Sequence, residues 1–139
     1  MTLLEKAIII AVVCHRGQID IAGQPYILHP LRVMLKMKTD KEKIVAVLHD
    51  TIEDTHLTFN DLRERGFDEE IIDAINSVTK QEGESYINFV KRAKRNVIGR
   101  NVKIADIEDN SDLSRIPNPT EKDYKRQEKY KNAIKELLY

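Results

Sequence analysis

The chain has 139 residues, 41% hydrophobic and 33% charged, a size and composition that can close one core without disulfides or structural metals. Lys plus Arg and Asp plus Glu number 23 each, so no net charge draws the protein toward DNA, RNA or anionic membranes. Aromatic residues make up only 6%, with no Trp, which leaves little for a base-stacking platform, and the single Cys14 excludes an internal disulfide.

In chain order, residues 2–16 read as a first helix ending near Gly17. Its apolar stretch, 7–14, is too short to span a bilayer. Glu5-Lys6 precede the stretch and His15-Arg16-Gly17-Gln18 follow it in place of a small-residue cleavage site. It therefore reads as a buried helix of a cytoplasmic protein and not as a signal peptide. Residues 18–28, with Gly23 and Pro25, read as a loop. His29-Pro30 opens a second helix, since Pro suits a first helical position.

A third helix is predicted over 41–53, capped by Asp40, with Ile44, Val45, Val47 and Leu48 as its buried side. Thr58 starts a short helix that stops near Gly66, and Asp68 caps another to about Thr79. Further helices are expected over 84–95 and 98–108, the latter carrying Val102, Ile104 and Ala105. After the turn at Pro117-Asn118-Pro119, Thr120 caps a last amphipathic helix. No period-two alternation stands out. The expected fold is all-α, one domain over residues 1–139 with seven or eight helices.

The chemistry-bearing feature is His49-Asp50, followed at i+4 from each by Glu53 and Asp54. On one helix these four side chains share a stripe. Apolar residues at 44, 45, 47, 48 and 52 leave little of that helix exposed, and a buried stripe of one His and three carboxylates is costly without a counter-ion. A His nitrogen with a carboxylate oxygen suits Mn, Fe or Zn. Taken alone, the dipeptide also fits a solvated acidic helix end. His29 before Pro30 equally suits a cap, and Asp106 a polar helix end.

Four ordered segments carry a resemblance: His15-Arg16-Gly17-Gln18; Gly23-Gln24-Pro25-Tyr26-Ile27-Leu28-His29-Pro30-Leu31; Leu48-His49-Asp50-Thr51-Ile52-Glu53-Asp54-Thr55; and Val102-Lys103-Ile104-Ala105-Asp106 with Asn110. Over residues 15–110 the chain resembles the HD phosphohydrolases, and within them the hydrolase domain of the RelA/SpoT homologues and their small stand-alone relatives. The resemblance implies that His29, His49, Asp50 and Asp106 hold one divalent metal, Mn²⁺ being the usual one. It also puts Glu53 and Asp54 beside the attacked phosphate as general acid–base residues. Orienting His49 without touching the phosphate is the other role open to that pair.

A second metal would need more His ligands. Only His15 and His56 remain; the first reads as packing or a loop anchor and the second as a surface loop residue. Cys14 continues the apolar run and reads as a core residue, not as a nucleophile paired with His15. The implied activity is removal of the 3′-pyrophosphate from guanosine tetra- or pentaphosphate, the stringent-response alarmones. The expected partner is thus a small phosphorylated nucleotide, with no nucleic acid and no membrane.

The chain departs from the family in two places. The loop between the first two segments usually carries Arg-Lys, the Arg stacking on guanine, whereas Asp20 and Ile21 stand here. A carboxylate offers no such stacking and repels phosphate. After Asp106, Ile107-Glu108-Asp109 is acidic where well-known members carry Arg and His. Asn110 matches the position that contacts the nucleotide sugar, and Arg115 is a candidate phosphate contact as well as an ordinary surface Arg. Lys103 is open to the same two readings. These departures keep alive a second reading, an HD phosphohydrolase acting on another phosphorylated nucleotide, and behind it a non-catalytic metal or nucleotide sensor.

Overall fold

The computed structural model describes residues 1–139. The chain folds into α1 (Leu3–His15), α2 (Leu28–Leu35), α3 (Asp40–Leu48), α4 (Thr51–Asp54), α5 (Phe59–Glu64), α6 (Glu69–Ser77), α7 (Tyr86–Lys94), α8 (Val97–Asn110) and α9 (Glu121–Leu138), with a 3-10 turn at Leu113–Arg115. Eight of these helices have six residues or more, and α4 is a turn of four. The only β pairing is a bridge between Ile19 and Pro25. The fold is all-α, as the periodicity predicts.

Helix starts follow local chemistry. Thr2, Thr39, Thr58 and Thr120 each form a capping box with the acidic residue three positions on. Thr39, not Asp40, caps α3: its extended backbone lets the hydroxyl accept from the Glu42 N–H, while Asp40 sits inside the first turn. There its charge still faces the positive end of the helix dipole.

Five consecutive residues of α3, Ile44 to Leu48, are buried. Burial all round the helix follows from its neighbours, since α1, α2, α6 and α8 all pack on it. A smaller cluster of Val90, Ile107, Ala133 and Leu137 joins α7, α8 and α9. Gly99 lets α8 approach α6 closely, since a Cβ there would lie 1.9 Å from Ser77 Oγ. The expectation of a buried N-terminal helix holds for one face only. Ala7, Ile10 and Ala11 are buried, while Ile9, Val12 and Val13 are about half exposed.

The predicted helix over 41–53 is two elements. The His49 N–H turns back to the Ala46 carbonyl in a three-residue step, and Asp50 adopts φ −101°, ψ −4° before α4 begins. The Thr51 hydroxyl donates to the Leu48 carbonyl at 2.7 Å, satisfying an acceptor that the break would strand. His49 and Asp50 therefore sit at a corner between helices. Two adjacent side chains, about 100° apart on a continuous helix, can converge at such a corner.

Candidate functional site

Three helices deliver the four residues singled out by the sequence. His29 lies in the first turn of α2, fixed by Pro30 and buried to 4% exposure. His49 and Asp50 occupy the α3–α4 corner, and Asp106 comes from α8. His29 Nε2 lies 2.9 Å from Asp106 Oδ1 and 3.7 Å from Asp50 Oδ2. His49 Nε2 lies 3.1 Å from Asp50 Oδ2 and 3.3 Å from Asp106 Oδ1. The four side chains thus meet at one point. His29, His49 and Asp50 have the mutual spacing of a metal-holding group, and Asp106, which lies outside that group, contacts both imidazoles.

The charges at this point are held in place by their neighbours. Burial pushes the Asp106 carboxyl up, but Lys103 and the two imidazoles outweigh it and hold it well below the usual carboxylate range. Lys103 Nζ donates to Asp106 Oδ2 at 3.0 Å and lies 4.3 Å from the centre of the Phe89 ring. Burial opposes the charge of Lys103, yet Asp106 raises its pKa and keeps it cationic. Tyr26 Oη donates to Asp50 Oδ2 at 2.5 Å, and burial together with the Asp50 charge pushes that phenol up.

One atom of the cluster is left without a partner. His49 Nδ1 lies 2.5 Å from the Ala46 carbonyl, which can only accept, so Nδ1 carries the hydrogen. Nε2 is fully buried, has no hydrogen bond, and faces two carboxylates. A lone pair there, with a second imidazole nitrogen and two carboxylate oxygens, is a donor set that fits a divalent transition ion. Burial pushes the His49 imidazole down, but the Asp50 and Asp106 carboxylates outweigh it and raise its pKa well above the ordinary value.

Glu53 and Asp54 stand on α4 at the exposed rim, not in a buried stripe. The break at Asp50 separates them from the α3 surface. Partial burial raises both carboxyl pKa values, and the nearby Asp50 charge adds to the effect. Glu53 accepts from the backbone N–H of Lys80, which tethers it to the loop after α6.

Beside the cluster opens a cleft of about 240 Å³ lined by Gln18, Asp20, Ile21, Tyr26, His29, Arg32, Asn110 and Arg115, among others. Asn110 reaches the cluster, its Nδ2 donating to Asp106 Oδ1 at 3.1 Å. Arg115 is folded onto its own segment, donating to the Asp109 carbonyl at 2.7 Å and to Asp112 at 3.1 Å. Asp20 Oδ1 accepts from the Gln24 N–H at 2.9 Å, closing the loop on itself, and Ile21 is 71% exposed. His15 is buried outside the cluster, its Nδ1 2.9 Å from Gln18 Oε1, and His56 lies exposed in the loop after α4.

Some residues around the site were not picked out as candidates in the sequence. Asp109 is buried behind His29, and Arg32 holds it through two hydrogen bonds. Burial pushes the Asp109 carboxyl up, but His29 and Arg32 hold it far below the usual range. Lys129 lies 4.4 Å from the Tyr86 ring centre and 5.6 Å from that of Tyr130. Its pKa is lowered by burial and by the neighbouring charges of Arg126, Lys103 and Lys80. Arg126, Lys129 and Tyr130 sit at i, i+3 and i+4 on α9, a spacing that reads equally as an ordinary packed face.

No family model matches the chain. It is 43% identical over 79 residues to a guanosine-3′,5′-bis(diphosphate) 3′-pyrophosphohydrolase of Borreliella burgdorferi, covering 54% of this chain and 12% of that protein. It is 38% identical over 84 residues to a GTP pyrophosphokinase of Myxococcus xanthus, covering 58% of this chain and 11% of that protein. Over about half of its length the chain is thus similar in sequence to RelA/SpoT enzymes. It spans about a tenth of the length of these curated relatives. The solved structure of a metazoan SpoT orthologue, described as hydrolysing ppGpp with a role in starvation responses, matches its fold with a TM-score of 0.75. That match covers 99% of this chain and 84% of the other at 22% identity.

Proposed function

We propose that residues 1–139 act as one metal-dependent phosphohydrolase domain that removes the 3′-pyrophosphate from guanosine tetra- or pentaphosphate. The observation that carries this reading is the convergence of His29, His49, Asp50 and Asp106 around the unpartnered His49 Nε2. The pyrophosphohydrolase relatives favour the guanosine alarmone over another nucleotide as substrate. Within this proposal the four residues hold one divalent ion, Mn²⁺, and the protein works in the cytoplasm. No helix is long and apolar enough to cross a membrane. When bound, the ion lowers the pKa of water and polarises a phosphoryl oxygen.

The chain's own residues supply the rest. Glu53 and Asp54 stand at the rim, where partial burial and the Asp50 charge raise both carboxyl pKa values, the direction that favours a carboxyl that takes up and gives back a proton. The Lys80 N–H fixes Glu53 in place. Lys103 holds Asp106 ionised, and Tyr26 orients Asp50. Asn110 and Arg115 line the cleft in which the nucleoside lies. Lys129, beside Tyr86 and Tyr130, feels burial and the charges of Arg126, Lys103 and Lys80, which an oligophosphate would offset.

The test is a release assay with Mn²⁺ over a panel of nucleotides. Pyrophosphate from guanosine tetraphosphate, lost on chelation, is the expected result. Orthophosphate from other nucleotides alone would contradict the substrate assignment. Silence across the panel would contradict the enzyme.

A further inference from the structure

The buried carboxylate of Asp109 has no place in the four-residue cluster, yet it touches one of its members on the opposite edge. Asp109 stands on α8 three residues after Asp106, and both contact the same imidazole. Asp109 Oδ2 lies 2.7 Å from His29 Nδ1, while Asp106 Oδ1 lies 2.9 Å from His29 Nε2. A carboxylate ionised by a guanidinium only accepts, so His29 Nδ1 carries the hydrogen. Arg32, one turn along α2 from His29, donates from Nε to Asp109 Oδ1 at 2.8 Å and from Nη2 to Oδ2 at 3.0 Å. This two-point contact leaves the carboxylate little rotational freedom. Asp109 is 4% exposed, so water does not compete for it.

We propose that Asp109 is the positioning residue of His29: clamped by Arg32, it fixes the imidazole as its Nδ1–H tautomer and turns the Nε2 lone pair into the cluster. The proposal rests on the metal reading of the site. Neither candidate residue nor spacing in the sequence announces the role, because Asp109 follows Asp106 in an acidic stretch that looks solvated. His49 gets the same service from a backbone carbonyl, that of Ala46. The two imidazoles thus reach one point through two different anchors, and only the anchor of His29 can be altered by substitution. An ionised acceptor on Nδ1 also makes Nε2 a stronger donor, and losing such an outer partner costs about 10- to 100-fold in metal affinity.

The experiment titrates Mn²⁺ into the full chain by calorimetry for the parent, Asp109→Asn and Asp109→Ala, with circular dichroism to check folding. The parent is expected to bind one ion. Asp109→Ala should weaken binding by about 10- to 100-fold, and Asp109→Asn, whose amide oxygen still accepts from Nδ1 without a full charge, should fall between. Nitrogen-15 NMR of the parent, metal-free and loaded with diamagnetic Zn²⁺, should show a slowly exchanging hydrogen on His29 Nδ1. If Asp109→Ala fails to fold, the parent spectrum and Asp109→Asn decide. Unchanged affinity in the folded variants, or a parent spectrum with the hydrogen on Nε2 alone, overturns the proposal. A parent that binds no Mn²⁺ overturns this proposal and the metal site together, whereas a parent that binds while the variants bind equally well overturns this proposal alone.

Discussion

The wall of the site built by α2, α3 and α8 is buried, and each charge on it has a named neighbour that sets its state. The facing wall, residues 18–22, is a loop that closes on its own backbone and leaves Ile21 exposed. On the first wall Asp106 is met by Lys103, His29, His49 and Asn110, and Asp50 by Tyr26 and His49. On the second, Asp20 holds the Gln24 N–H and meets the Arg32 charge across the cleft. Charges that are buried together cannot be changed singly without cost, since each removal leaves a partner unpaired. A loop that satisfies itself is free to vary. The first wall is fixed by its paired charges, and the proposed function leaves the choice of base to the second.

The largest effect should come from the first wall. His49→Ala or Asp50→Asn should abolish metal-stimulated pyrophosphate release and the bound metal seen by elemental analysis. Variants that keep both would show that the two walls do not differ in this way. Next is the rim between them. Glu53→Gln or Asp54→Asn should cut turnover by about 10²–10⁴ with metal content nearly intact. Loss of metal in these variants would move Glu53 and Asp54 into the buried wall.

The second wall should respond in binding alone. Asp20→Arg with Ile21→Lys removes a charge that repels phosphate and adds a stacking guanidinium. The Michaelis constant for guanosine tetraphosphate should fall by a few-fold to about thirty-fold, with less change in the turnover number, given that a cation on an aromatic face is worth about 0.5–2 kcal/mol. A worsened Michaelis constant would mean that the native loop serves a different ligand.

The smallest effect lies outside the cleft and gives the comparison a baseline. Arg92 grips Glu84 through two bonds of 2.8 and 2.9 Å and donates to the Asn76 and Thr79 carbonyls, tying α7 to the end of α6. The Arg92 guanidinium lowers the Glu84 carboxyl from 4.5 to about 2. A depressed folded-state pKa stabilises the fold fully above 4.5 and loses that contribution as the pH falls toward 2. In urea unfolding, the gap between the parent and Arg92→Met should therefore narrow between pH 5 and pH 3. A gap that stays constant would place the stabilisation in the carbonyl contacts instead.

Much of this was legible in the sequence, and what was missed has physical causes. Helical periodicity and turn residues gave the element order, because apolar spacing and capping chemistry are local. His49 and Asp50 stood out because polar residues on a largely apolar helix call for a reason, whereas His29 and Asp106 joined them only through the family resemblance of the four ordered segments. The corner at Asp50 was missed: nothing local in Leu48-His49-Asp50-Thr51 breaks a helix, and the break depends on Thr51 finding the Leu48 carbonyl. That error also placed Glu53 and Asp54 in a buried stripe instead of at the rim. The place of Asp109 depends on Arg32, 77 residues away, and no spacing rule links them. Lys129 was hidden for the same reason, since its neighbours arrive from other helices.

The proposed function requires one divalent ion among His29, His49, Asp50 and Asp106. Anomalous diffraction at the manganese edge, from crystals of the chain grown with Mn²⁺, tests it most directly. A single peak is expected within about 2.0–2.3 Å of the two Nε2 atoms and the two carboxylates. No peak there, or a peak held by other residues, would contradict it.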